Sequence, residues 1–66
     1  MNGKQADLIV AEAQRARWSI TAIAAHIGCT RPTLYYWRDN ADVRVSRALA
    51  RNLENLRAEL PKEAPR

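Results

Sequence analysis

The sequence predicts an all-α domain of three short helices followed by a longer fourth. Three observations carry the prediction. No stretch shows the strict polar–apolar alternation of a half-buried strand. Glycine and proline occur only at Gly3, Gly28, Pro32, Pro61 and Pro65. Apolar residues, finally, recur at three- and four-residue intervals, the spacing of one helix face.

The first helix is expected from about Lys4 to Arg17. Ala6, Ile9, Val10, Ala13 and Ala16 form its buried stripe, and Lys4, Arg15 and Arg17 lie outside it. Ser19 then supplies an N-cap, since its hydroxyl can accept from the free amides of the next turn. Trp18 before it can pack on Ile23 as a hydrophobic staple. A second helix therefore spans about 20–27.

Gly28 tolerates the left-handed backbone of a helix end, so the second helix stops there. Thr30 can cap a third helix over 31–39, and Pro32 is accommodated in its first turn, where a missing amide has no partner to lose. In "RDNAD", Asn40 or Asp42 offers the cap of a last helix, expected over 42–60 and ended by Pro61. Residues 1–60 then make one domain, with 61–66 a disordered tail.

Size and composition narrow the functions open to the chain. At 66 residues it is one domain at most, and a domain of this size buries only about 60% of its unfolded surface, so a partner surface is expected. The 47% hydrophobic and 27% charged residues suit a folded soluble domain. The run Leu8-Ile9-Val10-Ala11 is too short for a signal-peptide core or a membrane span, which makes a cytoplasmic protein the default. A single cysteine and a single histidine provide neither an internal disulfide nor a four-ligand zinc site. His26 and Cys29 are three apart, a spacing that could ligate metal, but with no third ligand nearby they read as a surface helix residue and a partly buried turn residue. No paired carboxylates, Ser/His/Asp set or Gly-rich phosphate loop is present, so the sequence predicts neither an enzyme nor a cofactor or small-molecule site.

The net charge is +4, unevenly spread. Between Ala13 and Asn52 stand seven arginines (Arg15, Arg17, Arg31, Arg38, Arg44, Arg47, Arg51) and two acids (Asp39, Asp42), seven minus two giving a local +5. Beyond Leu53, three basic residues balance three acidic ones. A basic middle points to a polyanionic partner, the alternative being an ordinary solvated basic surface.

The most specific pattern is Ala24, Gly28, Leu34, Trp37. A small residue lets two helices approach, a glycine makes the turn, and two apolar residues three apart plug the core from the third helix. This spacing resembles the helix-turn-helix of bacterial and phage DNA-binding regulators over about Trp18 to Asp39. "TAIAAHIGCTRPTLYY" looks like the recognition segment of tetracycline-repressor-type regulators and of the DNA-binding domains of serine recombinases. The short Trp-Ser link before the second helix looks more like the compact phage-repressor and Cro class. Without the large additional domains of the first two groups, a free-standing DNA-binding domain is expected.

The resemblance implies that the third helix enters the major groove while the second, with Thr21, lies across the backbone. Taking Leu34 and Trp37 as inward, Pro32, Tyr36 and Asp39 point most directly outward, with Tyr35, Arg31 and Arg38 on one flank and Thr33 on the other. Arg31 suits bidentate pairing with guanine, or alternatively a phosphate contact. Pro32 and Tyr36 could meet thymine methyls, and the hydroxyls of Thr30, Thr33 and Tyr35 could reach phosphates. For the tyrosines the competing role is half-buried packing. Asp39 repels phosphate unless it accepts from cytosine or pairs with Arg38, and is expected at the helix end, away from DNA.

On the last helix, Val45, Leu49, Leu53, Leu56 and Leu60 fall within about 80° of arc, and Arg44, Arg47 and Arg51 oppose them within about 60°. The leucines beyond Leu49 are expected to outrun the core, so that Leu49, Leu53, Leu56 and Leu60 form a homodimer seam, unless the first helix or the tail folds back over them. Arg44 and Arg47 could then lie along phosphates. The function predicted is a homodimeric, sequence-specific regulator of double-stranded DNA on a palindromic operator, a repressor or autoregulator of a phage or mobile element. Alternatives are a protein-interaction module docking through the leucine edge and a DNA-packaging or recombination accessory factor.

Overall fold

A computed structural model of the protein describes residues 1–60. It contains α1 (Gly3–Arg15), α2 (Ile20–Ile27), α3 (Arg31–Asp39) and α4 (Arg47–Glu59). The expected tail at 61–66 lies outside the described residues.

α1 starts at Gly3 because Asn2 closes a capping box. Its side chain accepts from the Gln5 amide and its own amide donates to Gln5 Oε1, both at 2.9 Å. The helix stops two residues short of the expected Arg17. Ala16 caps it, and Arg17 turns the chain left with φ 71°. The amides of Arg17 and Trp18 donate back to Gln14 and Ala13 at 2.9 and 3.0 Å, the hydrogen-bond pattern of a Schellman motif. Glycine normally occupies that left-handed position. For any residue with a Cβ it costs roughly 1–2 kcal/mol.

α2 matches expectation. Ser19 Oγ accepts from the Ala22 amide at 3.0 Å, Trp18 and Ile23 are both in the core, and Gly28 ends the helix with φ 85°. Across the molecule, Asn52 Nδ2 donates to the last carbonyl of α2, Ile27 O, at 2.9 Å. Such a terminal carbonyl has no partner within its own helix, and α4 provides one.

The last helix departs most from expectation. It begins at Arg47, capped by Ser46, whose Oγ accepts from the Leu49 amide at 3.3 Å. Asp42 does not cap it, because the chain after α3 turns at residues 41–43 and then pairs with the N-terminus through an isolated antiparallel bridge between Asn2 and Arg44. Gly3 N donates to Val43 O (2.8 Å), Lys4 N to Ala41 O (2.9 Å) and Val45 N to Met1 O (3.0 Å). Two of these bonds satisfy amides of the first turn of α1 that have no partner within the helix. Continuing α4 back to Asp42 would forfeit them.

One core joins all four helices. Ile23, Ile27, Leu34, Leu53 and Leu56 are fully buried, and Ala6, Ile9, Val10, Ala13, Trp18, Ala24, Trp37 and Val45 complete the cluster. Leu53 and Leu56, expected at a seam between two copies, are each 0% exposed within their own chain. Leu49 and Leu60 are half-buried on the same cluster. The cover comes from α1 and α2, which both pack along α4. Leu53 and Leu56 are therefore core residues, and Leu49 and Leu60 border that core.

Candidate nucleic-acid interface

The turn between α2 and α3 is built by the residues that the spacing singled out. Ala24 (3% exposed) lets the two helices meet, Gly28 turns the chain, and Leu34 (2%) and Trp37 (3%) seat α3 on the core. With those two anchors inward, Arg31, Pro32, Tyr35, Tyr36, Arg38 and Asp39 are exposed and Thr33 is half-buried. The tyrosines are 42% and 54% exposed, two of the three large apolar side chains that the described residues leave open to water. They are thus surface residues rather than half-buried packing.

Thr30 occupies the cap position of α3, but its hydroxyl makes no capping bond. It shares a hydrogen bond with the Thr33 hydroxyl at 3.3 Å, and the Thr33 amide donates to the Thr30 carbonyl instead. Pro32 falls in the first turn as expected. At the other end, Asn40 Nδ2 donates to Tyr36 O at 3.0 Å and closes the last turn.

Arg38 is fixed from two sides. Its Nε and Nη2 donate to the Asp39 carboxylate at 3.0 and 3.4 Å, and its guanidinium carbon lies 5.1 Å from the Tyr35 ring centroid. The hydrogen bond from Arg38 holds the Asp39 carboxyl below the usual carboxylate range, and the same bond raises the proton affinity of Arg38. Asp39 is thereby neutralised in place at the exposed end of α3. Cation–π attraction between the guanidinium and the Tyr35 ring adds to that hold.

The remaining expected contact residues lie off α3. Thr21 is exposed on the first turn of α2, and Arg47 is exposed at the first residue of α4. Arg44 is exposed on the extended segment before α4, so it does not share a helix face with Arg47 and Arg51 as the spacing implied. Sequence reasoning missed a cleft beside the flank of α3, where Asp7 and Gln14 from α1, Ile20 from α2, and Tyr35 and Arg38 line one depression. Asp7 and Gln14 are seven apart, two turns on one edge of α1, and that periodicity was the available signal.

His26 pairs with Glu59 at 3.0 Å and meets Trp18 edge to face, the ring centroids 5.2 Å apart. Cys29 is partly buried in the turn, and that burial pushes its thiol up from the ordinary value. No helix of the described residues is long and apolar enough to cross a membrane.

The geometry as a whole is a short helix, a glycine turn and a second helix whose outer face carries arginine, tyrosine and hydroxyl groups. No curated protein and no solved structure matches the chain. The family model of the homeodomain-like domain matches residues 4–42, which run from α1 through α3 and into the turn that follows it. With more than half of its residues inside that match, the chain belongs to the homeodomain-like helix-turn-helix family, a class of DNA-binding domains.

Proposed function

We propose that the protein is a sequence-specific, double-stranded DNA-binding transcriptional regulator that reads the major groove with α3. The observation that carries this reading is the outer face of α3, where Arg31, Pro32, Tyr35 and Tyr36 stand exposed while Leu34 and Trp37 anchor the helix from below. Arg31 reads guanine, Pro32 and Tyr36 meet thymine methyls, and Thr30, Thr33, Tyr35, Thr21, Arg38, Arg44 and Arg47 contact the backbone. The mode of action is occupancy. A repressor or autoregulator that blocks polymerase by sitting on its site needs no catalytic group, cofactor or small-molecule ligand.

A phage or mobile element as source, and a cytoplasmic, nucleoid-associated setting in a bacterial host, belong to the same proposal. They rest on the likeness of the short Trp18-Ser19 link before the second helix to the compact phage-repressor and Cro class. Two-fold pairing on a palindromic operator now needs a surface other than Leu53 and Leu56, since both are in the core. Docking of a foreign protein through the leucine edge would have only the half-buried Leu49 and Leu60 to use.

Selection of bound sequences from a random duplex pool tests the reading. Enrichment of a short common motif, bound with an affinity that falls steeply as salt rises, supports it. No duplex binding at low salt refutes it. A motif present as inverted repeats supports two-fold binding, and a single half-site supports one copy per site.

A further inference from the structure

Asp39 is a carboxylate placed where two influences oppose one. It is the last residue of α3, where the helix dipole leaves partial negative charge, and it stands exposed on the helix that carries the recognition face. The end of α3 does not need it, since Asn40 closes the last turn by donating to Tyr36 O at 3.0 Å. Nor does the core, since the Asp39 side chain is 62% exposed. What Asp39 holds is its neighbour. Its carboxylate accepts from Arg38 Nε at 3.0 Å and, through a longer bond, from Nη2 at 3.4 Å. The hydrogen bond keeps the carboxyl below the usual carboxylate range, so both partners are charged near neutral pH.

The donors left over on Arg38 have a direction. A guanidinium carries five N–H groups in a rigid planar fork. Asp39 takes one from Nε and one from Nη2, and the Tyr35 ring centroid lies 5.1 Å from the guanidinium carbon. The remaining three, two on Nη1 and one on Nη2, lie along the edge that turns away from the carboxylate. A free arginine side chain has much rotamer freedom to lose on binding. One held by a carboxylate and an aromatic ring has already lost part of it.

We infer that Asp39 is a positioning residue, which fixes Arg38 in one rotamer so that the free Nη edge meets a DNA phosphate with little further ordering. An acid on a DNA-binding helix thereby strengthens binding through its neighbour. The inference rests on the DNA-binding reading above, in which Arg38 contacts the backbone, and Asp39 itself touches no DNA. Its signature is a sign. Charge alone says that removing an acid beside a polyanion raises affinity, and so does a carboxylate that merely occupies Arg38. Positioning says that removal lowers it.

The test is Asp39→Asn, which keeps the shape and removes the charge, measured alone and on an Arg38→Gln background. Alone, it should lower duplex affinity at fixed salt by about three- to tenfold, the range expected for ordering one long side chain on binding. Asp39→Glu should recover part of that loss. On the Arg38→Gln background the same change should leave affinity unchanged or raise it. In the free protein, the Arg38 Nε–H resonance should be resolved in wild type and should lose its distinct shift in Asp39→Asn, while the melting temperature stays close to wild type because the pair is exposed. The positioning role is overturned if Asp39→Asn binds duplex as tightly as wild type or more tightly, if it loses the same factor with and without Arg38, or if the Nε–H resonance does not change. If wild type binds no duplex at low salt, the DNA reading itself fails, and the positioning role with it.

Discussion

Gly3→Ala is the substitution whose effect follows most directly from the structure. A Cβ built on Gly3 would lie 2.4 Å from the Asn40 carbonyl oxygen and 3.1 Å from both the Trp37 oxygen and Val43 Cγ2. Ordinary carbon–oxygen contact begins near 3.3 Å, so α1 and the segment after α3 must separate by about 1 Å. That shift takes the three bonds between the segments, now 2.8, 2.9 and 3.0 Å, to about 3.8–4.0 Å, beyond hydrogen-bonding range. At about 1 kcal/mol net each, their loss costs about 3 kcal/mol. Alanine in place of a helical glycine returns about 0.5–1 kcal/mol. The net cost of about 2 kcal/mol is a large share of the stability of so small a domain, and it should lower Tm by about 8–16 °C. Thermal unfolding followed by far-ultraviolet circular dichroism measures it. A variant that melts at or above wild type would refute the argument that Gly3 is retained for close backbone approach. Gly28→Ala is the useful contrast. Its Cβ would meet nothing within 4 Å, so only the left-handed strain of roughly 1–2 kcal/mol is expected.

The other predictions concern the core and the recognition face. Leu56→Ala should cost about 2–5 kcal/mol, and Leu56→Glu should abolish the cooperative melt; a well-folded Leu56→Glu protein would contradict the burial of this side chain within its own chain. Asn52→Ala leaves the Ile27 carbonyl without its 2.9 Å partner and should lower stability by about 1–3 kcal/mol in urea unfolding, whereas an unchanged midpoint would show that water replaces the amide. For DNA, Arg31→Ala should lose about 1–3 kcal/mol of preference at one base pair, while Arg47→Ala weakens all sequences alike. Equal, sequence-independent losses in the two variants would remove Arg31 from base readout.

The parts of the fold legible in the sequence are those set by neighbours close along the chain. Ser19 caps α2, Gly28 ends it, and the three-residue spacing of Leu34 and Trp37 fixes which side of α3 is buried. The exposed set on α3 follows from those two anchors by rotation alone. What sequence reasoning missed depends on partners distant along the chain. Gly3 reads as a breaker near a terminus, yet its lack of a Cβ lets α1 approach the carbonyl of Asn40, thirty-seven residues later. Asp42 is as good a helix cap as Ser46 in isolation. The pairing of 41–45 with the N-terminus decides between them.

The leucines of α4 show a similar limit. Periodicity identifies an apolar edge but not its cover, and the small buried residues Ala6 and Ala13 let α1 approach closely within the core that buries Leu53 and Leu56. The candidate site was legible in the same uneven way. The residues on α3 were found from spacing, whereas the cleft beside it depends on how α1 and α2 are placed.

The central claim is that the outer face of α3 is the DNA-contacting surface. Titration of isotope-labelled protein with duplex DNA, followed by amide chemical shifts, tests it most directly. The account predicts that the largest changes cluster at Thr30–Tyr36, with the α1–α4 groove around Leu8 and Glu54 unaffected. Changes concentrated in that groove, with α3 silent, would contradict it.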